Sequence, residues 1–274
     1  GAMRWYIVAG RTVQPSEFLK PLFIVTAAWL LAASQDLGGP PGRSWSFGLC
    51  LLIASALVLQ PDFGQAALVI FSWGVMFFVG GASIWLIVSI VGTVLAGGIV
   101  AYQNSEHFAR RIDSFLEVDL DPTTQLGYAA TAIQEGGFFG VGLGEGRVKW
   151  SLADAHTDFI IAVAAEEYGL VTVLVLIGLF STIVLRSLAR LMRERDPFIR
   201  LAGTGIAVTF GIQAVINMGV AVRLMPAKGM TLPFISYGGS SLLAWGIAMG
   251  MLLCFTRTRP QGTIGDSFNS LRRG

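Results

Sequence analysis

Apolar residues crowd into seven stretches of the chain, at about 15 to 33, 45 to 60, 64 to 83, 84 to 102, 159 to 185, 201 to 222 and 232 to 255. Each comes near the roughly 17 to 25 residues that a helix needs to cross a hydrocarbon core. The pattern predicts an all-α polytopic membrane protein with seven transmembrane helices. Its least regular parts are the short second stretch and the tight joint between Ser83 and Ile84. One long polar segment, 103–158, interrupts the series, and a polar tail, 256–274, follows it. The expected organisation is one membrane domain over 1–255 and a disordered tail.

Composition agrees with that reading. Hydrophobic residues make up 54% of the chain and charged ones 13%, against about a quarter charged in soluble domains. A soluble enzyme is therefore excluded as the first reading. The net charge of +2 gives no reason to expect nucleic acid. Cys50 and Cys254 lie inside apolar stretches, which fits packing rather than a disulfide framework.

The positions of the charges carry more information than their sum. Between the fifth and sixth stretches lie Arg186, Arg190, Arg193, Arg195 and Arg200 against Glu194 and Asp196, and the tail adds Arg257, Arg259, Arg272 and Arg273. Two spans separate these basic segments, so they share a side, and the positive-inside rule makes it the cytoplasm. Counting back makes segment 103–158 extracytoplasmic, with nine acidic against four basic residues, a net of −5. Residues 1–14 fall outside as well. A chain that starts outside at Gly1-Ala2-Met3-Arg4, with no leader, is expected to be a fragment that lacks an odd number of earlier spans.

The outer segment is too long for a mere connector. Its glycine run, Gly136-Gly137 and then Gly140, Gly142, Gly144 and Gly146, ends in Arg147 and Lys149. Such a run suits either a cradle for phosphate or a flexible re-entrant turn. Spacing leaves both open, because it is not a P-loop pattern.

Ionisable groups at membrane depth cost several kcal/mol unless paired or wet, and four segments hold them. At His156-Thr157-Asp158, Thr157 is expected to cap the fifth span, with Asp158 in its first turn. There Asp158 could be an ordinary helix-start carboxylate or a general base facing both lipid and water, with His156 tuning it or joining it around a cation. Asp154 makes a two-carboxylate arrangement conceivable. Glu166 and Glu167 follow on the same helix. The stripe Asp158, Ala162, Ala165 and Glu166 should face the bundle interior, and Lys20 is the expected partner of Glu166, against a local Glu17 to Lys20 pair. Asp62, in Gln60-Pro61-Asp62-Phe63-Gly64, is expected to cap the third span. Arg223 and Lys228 precede a span whose start is broken by Pro233, Gly238, Gly239 and three serines. Irregular backbone at that depth is tolerated only where it is buried in protein or lines a cavity. A cavity lined by Arg223, Lys228 and Ser240 could take a lipid pyrophosphate.

In this order the segments resemble the SEDS family of bacterial cell-wall polymerases (shape, elongation, division and sporulation), and most of all its cell-division branch. The matching stretches are Gly1-Ala2-Met3-Arg4-Trp5, Gln14-Pro15-Ser16-Glu17 with Lys20, Gln60-Pro61-Asp62-Phe63-Gly64, Gly140-Val141-Gly142-Leu143-Gly144, His156-Thr157-Asp158-Phe159-Ile160 with Glu166-Glu167, and Pro226-Ala227-Lys228-Gly229 through Ser241. The resemblance runs from Gly1 to about residue 255. It implies a ten-helix fold of which the last seven helices are present. It implies a peptidoglycan glycosyltransferase that polymerises lipid II at the division septum, in the bacterial inner membrane.

By the same resemblance Asp158 is the base, deprotonating the GlcNAc 4-hydroxyl that attacks the lipid-linked MurNAc with inversion. Undecaprenyl pyrophosphate would leave, neutralised by Mg or Mn near Asp158 or by Arg4, Lys149, Arg223 and Lys228; no organic cofactor is implied. The implied partners are a class B penicillin-binding transpeptidase and other division proteins. A lipid II flippase using Lys20, Glu166 and Glu167, an elongation-type polymerase and a non-catalytic scaffold are the competing readings. The sequence departs from the family pattern at Gln65, where threonine is usual, at Asp154, where glutamate is common, and at Thr124, where tyrosine is expected.

Overall fold

A computed structural model describes residues 6–8, 11–36, 38–106, 109–110, 112–113, 124–222, 224–225 and 229–257. Among these, the helices are α1 (Pro15–Ala33), α2 (Gly42–Leu59), α3 (Phe63–Val79), α4 (Ile84–Asn104), α5 (Gln125–Gly136), α6 (Ile160–Leu191), α7 (Pro197–Ala221) and α8 (Gly239–Thr256). A 3₁₀ turn covers Val148–Ser151. Helices α1, α2, α6, α7 and α8 are long and apolar enough to cross a membrane, and α3 at 17 residues is just shorter. Helix α4 has 21 residues, none of them charged. The seven expected spans are all helical.

Two details differ from the expected pattern. An antiparallel hairpin, β1 (Tyr6–Val8) and β2 (Arg11–Val13), pairs Tyr6 with Val13 and Ile7 with Thr12 ahead of α1. Three residues per strand leave too short an alternation to read from sequence. The last helix starts at Gly239, not near residue 232. Leu232 to Tyr237 is a turn in which Phe234 takes the left-handed conformation, at φ 66°. This non-helical stretch is covered on one side only: Leu232 and Pro233 are buried and the Phe234 ring lies 6.3 Å from that of Phe210, while Phe234 and Tyr237 are exposed.

Helix α7 is the hub and packs against α1, α3, α6 and α8. Small residues let its neighbours approach, as in other membrane bundles: a methyl added at Gly205 would overlap Met76 and Ile24, and one at Gly203 would overlap Leu191. Asp196 caps α7, accepting from Phe198 N at 2.9 Å and Ile199 N at 3.2 Å. Asp62 caps α3 as expected, accepting from Gln65 N at 3.4 Å.

Helix α6 is broken at Gly169, where φ is 78° and ψ 179°. Its second half, 170–191, is about 33 Å long at 1.5 Å per residue, enough by itself to cross the hydrocarbon core. A break inside a helix orphans backbone groups, and here the glycine segment meets four of them. Glu166 O accepts from Val141 N at 2.9 Å and Glu167 O from Gly142 N at 3.2 Å, while Leu170 N donates to Gly137 O at 2.9 Å and Val171 N to Phe138 O at 3.3 Å.

Candidate functional site

Three polar constellations emerge, at the outer entry of α6, along its first half, and in the interior between α1, α3 and α7. The first carries Asp158. Residues 153–159 form a succession of turns, and α6 begins only at Ile160. Thr157 therefore does not cap α6, contrary to expectation. The residue before the helix is Phe159, with no side-chain cap, and the Thr157 hydroxyl points back to Asp154 O at 3.4 Å. The reason lies in that carbonyl, which accepts from three successive amides, Thr157 N at 3.2 Å, Asp158 N at 3.1 Å and Phe159 N at 3.2 Å. The chain is curled one turn too tightly for Thr157 to reach forward.

From the far side, three successive carbonyls of this turn are each held by a donor from the C-terminal third. His156 O accepts from Tyr237 N at 2.8 Å, Thr157 O from Ser236 Oγ at 2.5 Å, and Asp158 O from Asn217 Nδ2 at 3.0 Å. Asp158 is half-buried. With Asn217, Gly229, Met230, Ile216 and Val220 it lines a cavity of about 10 Å³, room for about one water. Its Oδ2 lies 3.5 Å from where a Cβ on Gly229 would sit. His156 and Asp154 are exposed.

The second constellation resolves the glycine run. Glu166 is completely buried, and its two oxygens accept from Val148 N at 2.8 Å and Lys149 N at 3.0 Å, the opening amides of the 3₁₀ turn. Glu167 accepts from Gly144 N at 3.2 Å and pairs with the Lys149 ammonium, which also lies 5.4 Å from the Trp150 ring. The glycines make this fit possible. A methyl at Gly136 would overlap Ala165 O, one at Gly140 would overlap Glu167 O, and one at Gly146 would stand 2.9 Å from the Glu166 carboxyl carbon. The backbone amides that suggested a phosphate cradle instead cradle the protein's own carboxylates. Lys149, expected to meet pyrophosphate, is bound to Glu167.

The third constellation corrects the expected Glu166 to Lys20 pair. Lys20 donates to both oxygens of Glu17 at 2.9 Å and to Gln213 Oε1 at 2.7 Å, so the local pair forms. Gln65 Nε2 reaches Glu17 at 3.1 Å, Gln213 Nε2 reaches Thr231 O at 2.9 Å, and Thr231 and Ser241 share a hydroxyl bond of 2.9 Å. Gln65, the departure from the family pattern, is thus an added link in a network joining α1, α3, α7 and α8. Among the described residues Lys20 and Glu166 have separate sets of partners.

Ser240 is buried in the first turn of α8 and does not line the Asp158 cavity. Arg4, Arg223 and Lys228 lie outside the described residues. As for a metal, the described residues hold no group of three or more His, Cys, Asp or Glu. Asp158 is the one carboxylate at its cavity. That donor set does not fit a cation cage built by the protein alone.

Sequence reasoning missed Asn217, Gln213, Ser236 and Tyr237. A signal existed for the first two: Gln213 and Asn217, four apart, are the only amide side chains in the mostly apolar α7. Polar residues at that depth face the interior.

A family model described as a cell cycle protein of the FtsW, RodA and SpoVE type matches residues 1–261. A relative named probable peptidoglycan glycosyltransferase FtsW, from Caulobacter vibrioides, is 46% identical over 267 residues, 97% of this chain and 68% of that protein. One of the same name from Trichlorobacter lovleyi is 38% identical over 263 residues, 92% of this chain and 68% of that protein. Among solved structures, a chain from a peptidoglycan synthase complex that coordinates polymerization and crosslinking superposes with a TM-score of 0.73, at 31% identity over 96% of this chain and 75% of that one. Rod shape determining protein RodA of Thermus thermophilus gives 0.64 at 29% identity, over 96% and 71%.

Proposed function

The chain belongs to the FtsW, RodA and SpoVE family, the SEDS proteins, and we propose that the turn at Asp158 supplies the general base with which it extends glycan strands. It is a multi-pass membrane enzyme of cell division, a peptidoglycan glycosyltransferase. The observation that carries the assignment of Asp158 is the threefold hold on carbonyls 156, 157 and 158, which fixes the backbone of one half-buried carboxylate at the mouth of the bundle. A base must be held within hydrogen-bond reach of the proton it takes, and rigid support of its backbone serves that need.

In this reading the acceptor is a growing strand or lipid II whose GlcNAc 4-hydroxyl gives its proton to Asp158. The oxygen forms the new bond to the anomeric carbon of the lipid-linked MurNAc, and the bond to undecaprenyl pyrophosphate breaks, carrying its electron pair to the leaving oxygen. One displacement inverts the anomeric centre, needs one base and leaves no covalent enzyme intermediate. Asp154, exposed, has no role in it. The cations Arg223 and Lys228 complement the pyrophosphate in this reading. A divalent cation would enter with that group, as Mg²⁺ commonly does with substrate phosphates.

The basic α6–α7 connector argues for a cytoplasmic side there and an extracytoplasmic 103–158 segment. The division branch is supported by the names of the relatives, and a transpeptidase of the penicillin-binding class is the proposed partner, by analogy with the synthase complex. The test is Asp158→Asn in full-length protein with that transpeptidase, scored by strand formation from lipid II. A loss of about 100-fold or more is expected for a general base. Normal polymerisation by the variant would overturn the proposal.

A further inference from the structure

Asn217 is a single side chain that touches both walls of the site. It sits on α7, is 2% exposed, and uses its two amide hydrogens on carbonyls from different segments, Asp158 O at 3.0 Å and Met230 O at 2.7 Å. Met230 belongs to the 229–237 stretch, whose far end is also tied to the Asp158 turn, through Ser236 Oγ to Thr157 O and Tyr237 N to His156 O; Asn217 supplies the tie at its near end.

Its carbonyl oxygen is buried and has no hydrogen-bond partner among the described residues. Buried polar atoms in folded proteins nearly always have one, so an orphan needs a reason. Asn217 lines the same small cavity as Asp158, Gly229 and Met230. The alternative side chain for a membrane helix, a leucine, would fill that space at no polar cost. An amide there has a use only if the turn and the stretch opposite must be held in one register.

From this geometry we infer that Asn217 is a positioning residue for the transferase reaction: it locks the Asp158 turn to the 229–237 stretch, so that the carboxylate and the wall facing it keep one spacing. The inference rests on the reading of Asp158 as the base. Ser236, holding the adjacent carbonyl, is the second fastener of the same turn. A residue in this role acts on the chemical step. Displacing a reacting group by about 1 Å can cost 100-fold in rate while the substrate still binds.

The experiment is a double-mutant cycle with Asn217→Ala and Ser236→Ala in full-length protein and its partner transpeptidase, measuring kcat and KM for lipid II polymerisation beside Asp158→Asn. Asn217→Ala is expected to lower kcat by about 10- to 100-fold, with KM changed less than threefold and the amount of folded protein in membranes maintained. Ser236→Ala should lower kcat less, and the double variant should fall short of the product of the two losses, because both release one turn. Asn217→Ser, which keeps one donor, should recover part of kcat and serves also if the alanine variant does not accumulate. An unchanged kcat in both Asn217 variants, a loss confined to KM, or strictly multiplicative effects would each overturn the positioning role. Should Asp158→Asn stay active, the base assignment fails instead, which separates the two ideas.

Discussion

Asp158 and Glu166 are carboxylates eight residues apart on one stretch of chain, and the protein grips them by opposite ends. At Glu166 the side chain is held: both oxygens take backbone amides and nothing of the residue reaches solvent. At Asp158 the backbone is held, through its own carbonyl and those of the two residues before it, while the carboxylate is left half-buried at a cavity. Charge-assisted bonds to amides fix a carboxylate and leave it little further capacity. At Asp158 the anchoring falls on the main chain, and the carboxylate faces the cavity. The contrast sets a structural acid apart from the proposed base.

The largest effects should come from exchanging the two tests. Asp158→Asn should abolish polymerisation and leave the thermal midpoint of the detergent-solubilised protein nearly unchanged. Glu166→Leu should do the reverse: two partly buried amides lose their acceptor, at up to about 1 to 3 kcal/mol each, and the protein should melt several degrees lower or fail to accumulate. If Glu166→Leu melts like the parent protein but is inactive, the distinction between the two acids collapses.

A smaller and more local test lies in the glycines that let the cradle close. Gly140 has φ 82° and sits against Glu167 O, whereas Gly144 has the same φ with open space around its Cβ position. Alanine at Gly144 bears only the left-handed backbone cost, about 1 to 2 kcal/mol. Alanine at Gly140 adds a backbone overlap that no rotamer relieves, and should be the more destabilising by a clear margin in thermal melting. Equal losses would mean that the segment does not close on α6 in solution.

Much of this was written in the hydrophobic pattern, and the misses have physical causes. Seven spans and the Asp62 cap follow from local rules, because span length and capping depend on neighbours in sequence. The hairpin at Tyr6–Val8 and Arg11–Val13 escaped because three-residue strands carry no period. The glycine run pointed correctly to close backbone approach, but the identity of what approaches is a tertiary fact: Glu166 lies 18 residues beyond Val148. The Lys20 partner failed for the same reason in reverse, since the local Glu17 lay nearer than the distant acid. Thr157 had the right residue type for a cap, yet the Asp154 carbonyl had already gathered the amides around it. Asn217 and Gln213 were visible as amides in an apolar helix, and their burial follows from the cost of leaving them in lipid.

The smallest effect, and the one that decides which region owns a cation, concerns Lys149. The family resemblance offered it as one of several cations for the pyrophosphate; the structure pairs its ammonium with Glu167 and sets it over Trp150. Lys149→Met keeps the aliphatic stem and removes the charge. If the pair is only structural, Glu167 retains the Gly144 amide, and the loss should be about 1 kcal/mol or less, since the pair is partly solvent-exposed at 15% and 14%. KM for lipid II should then stay within twofold of the parent value. A cation that bound the leaving group would instead raise KM or lower kcat by an order of magnitude or more, with no change in melting. That result would move Lys149 from the Glu166 region to the Asp158 region, and would require the glycine segment to approach the reacting centre during turnover.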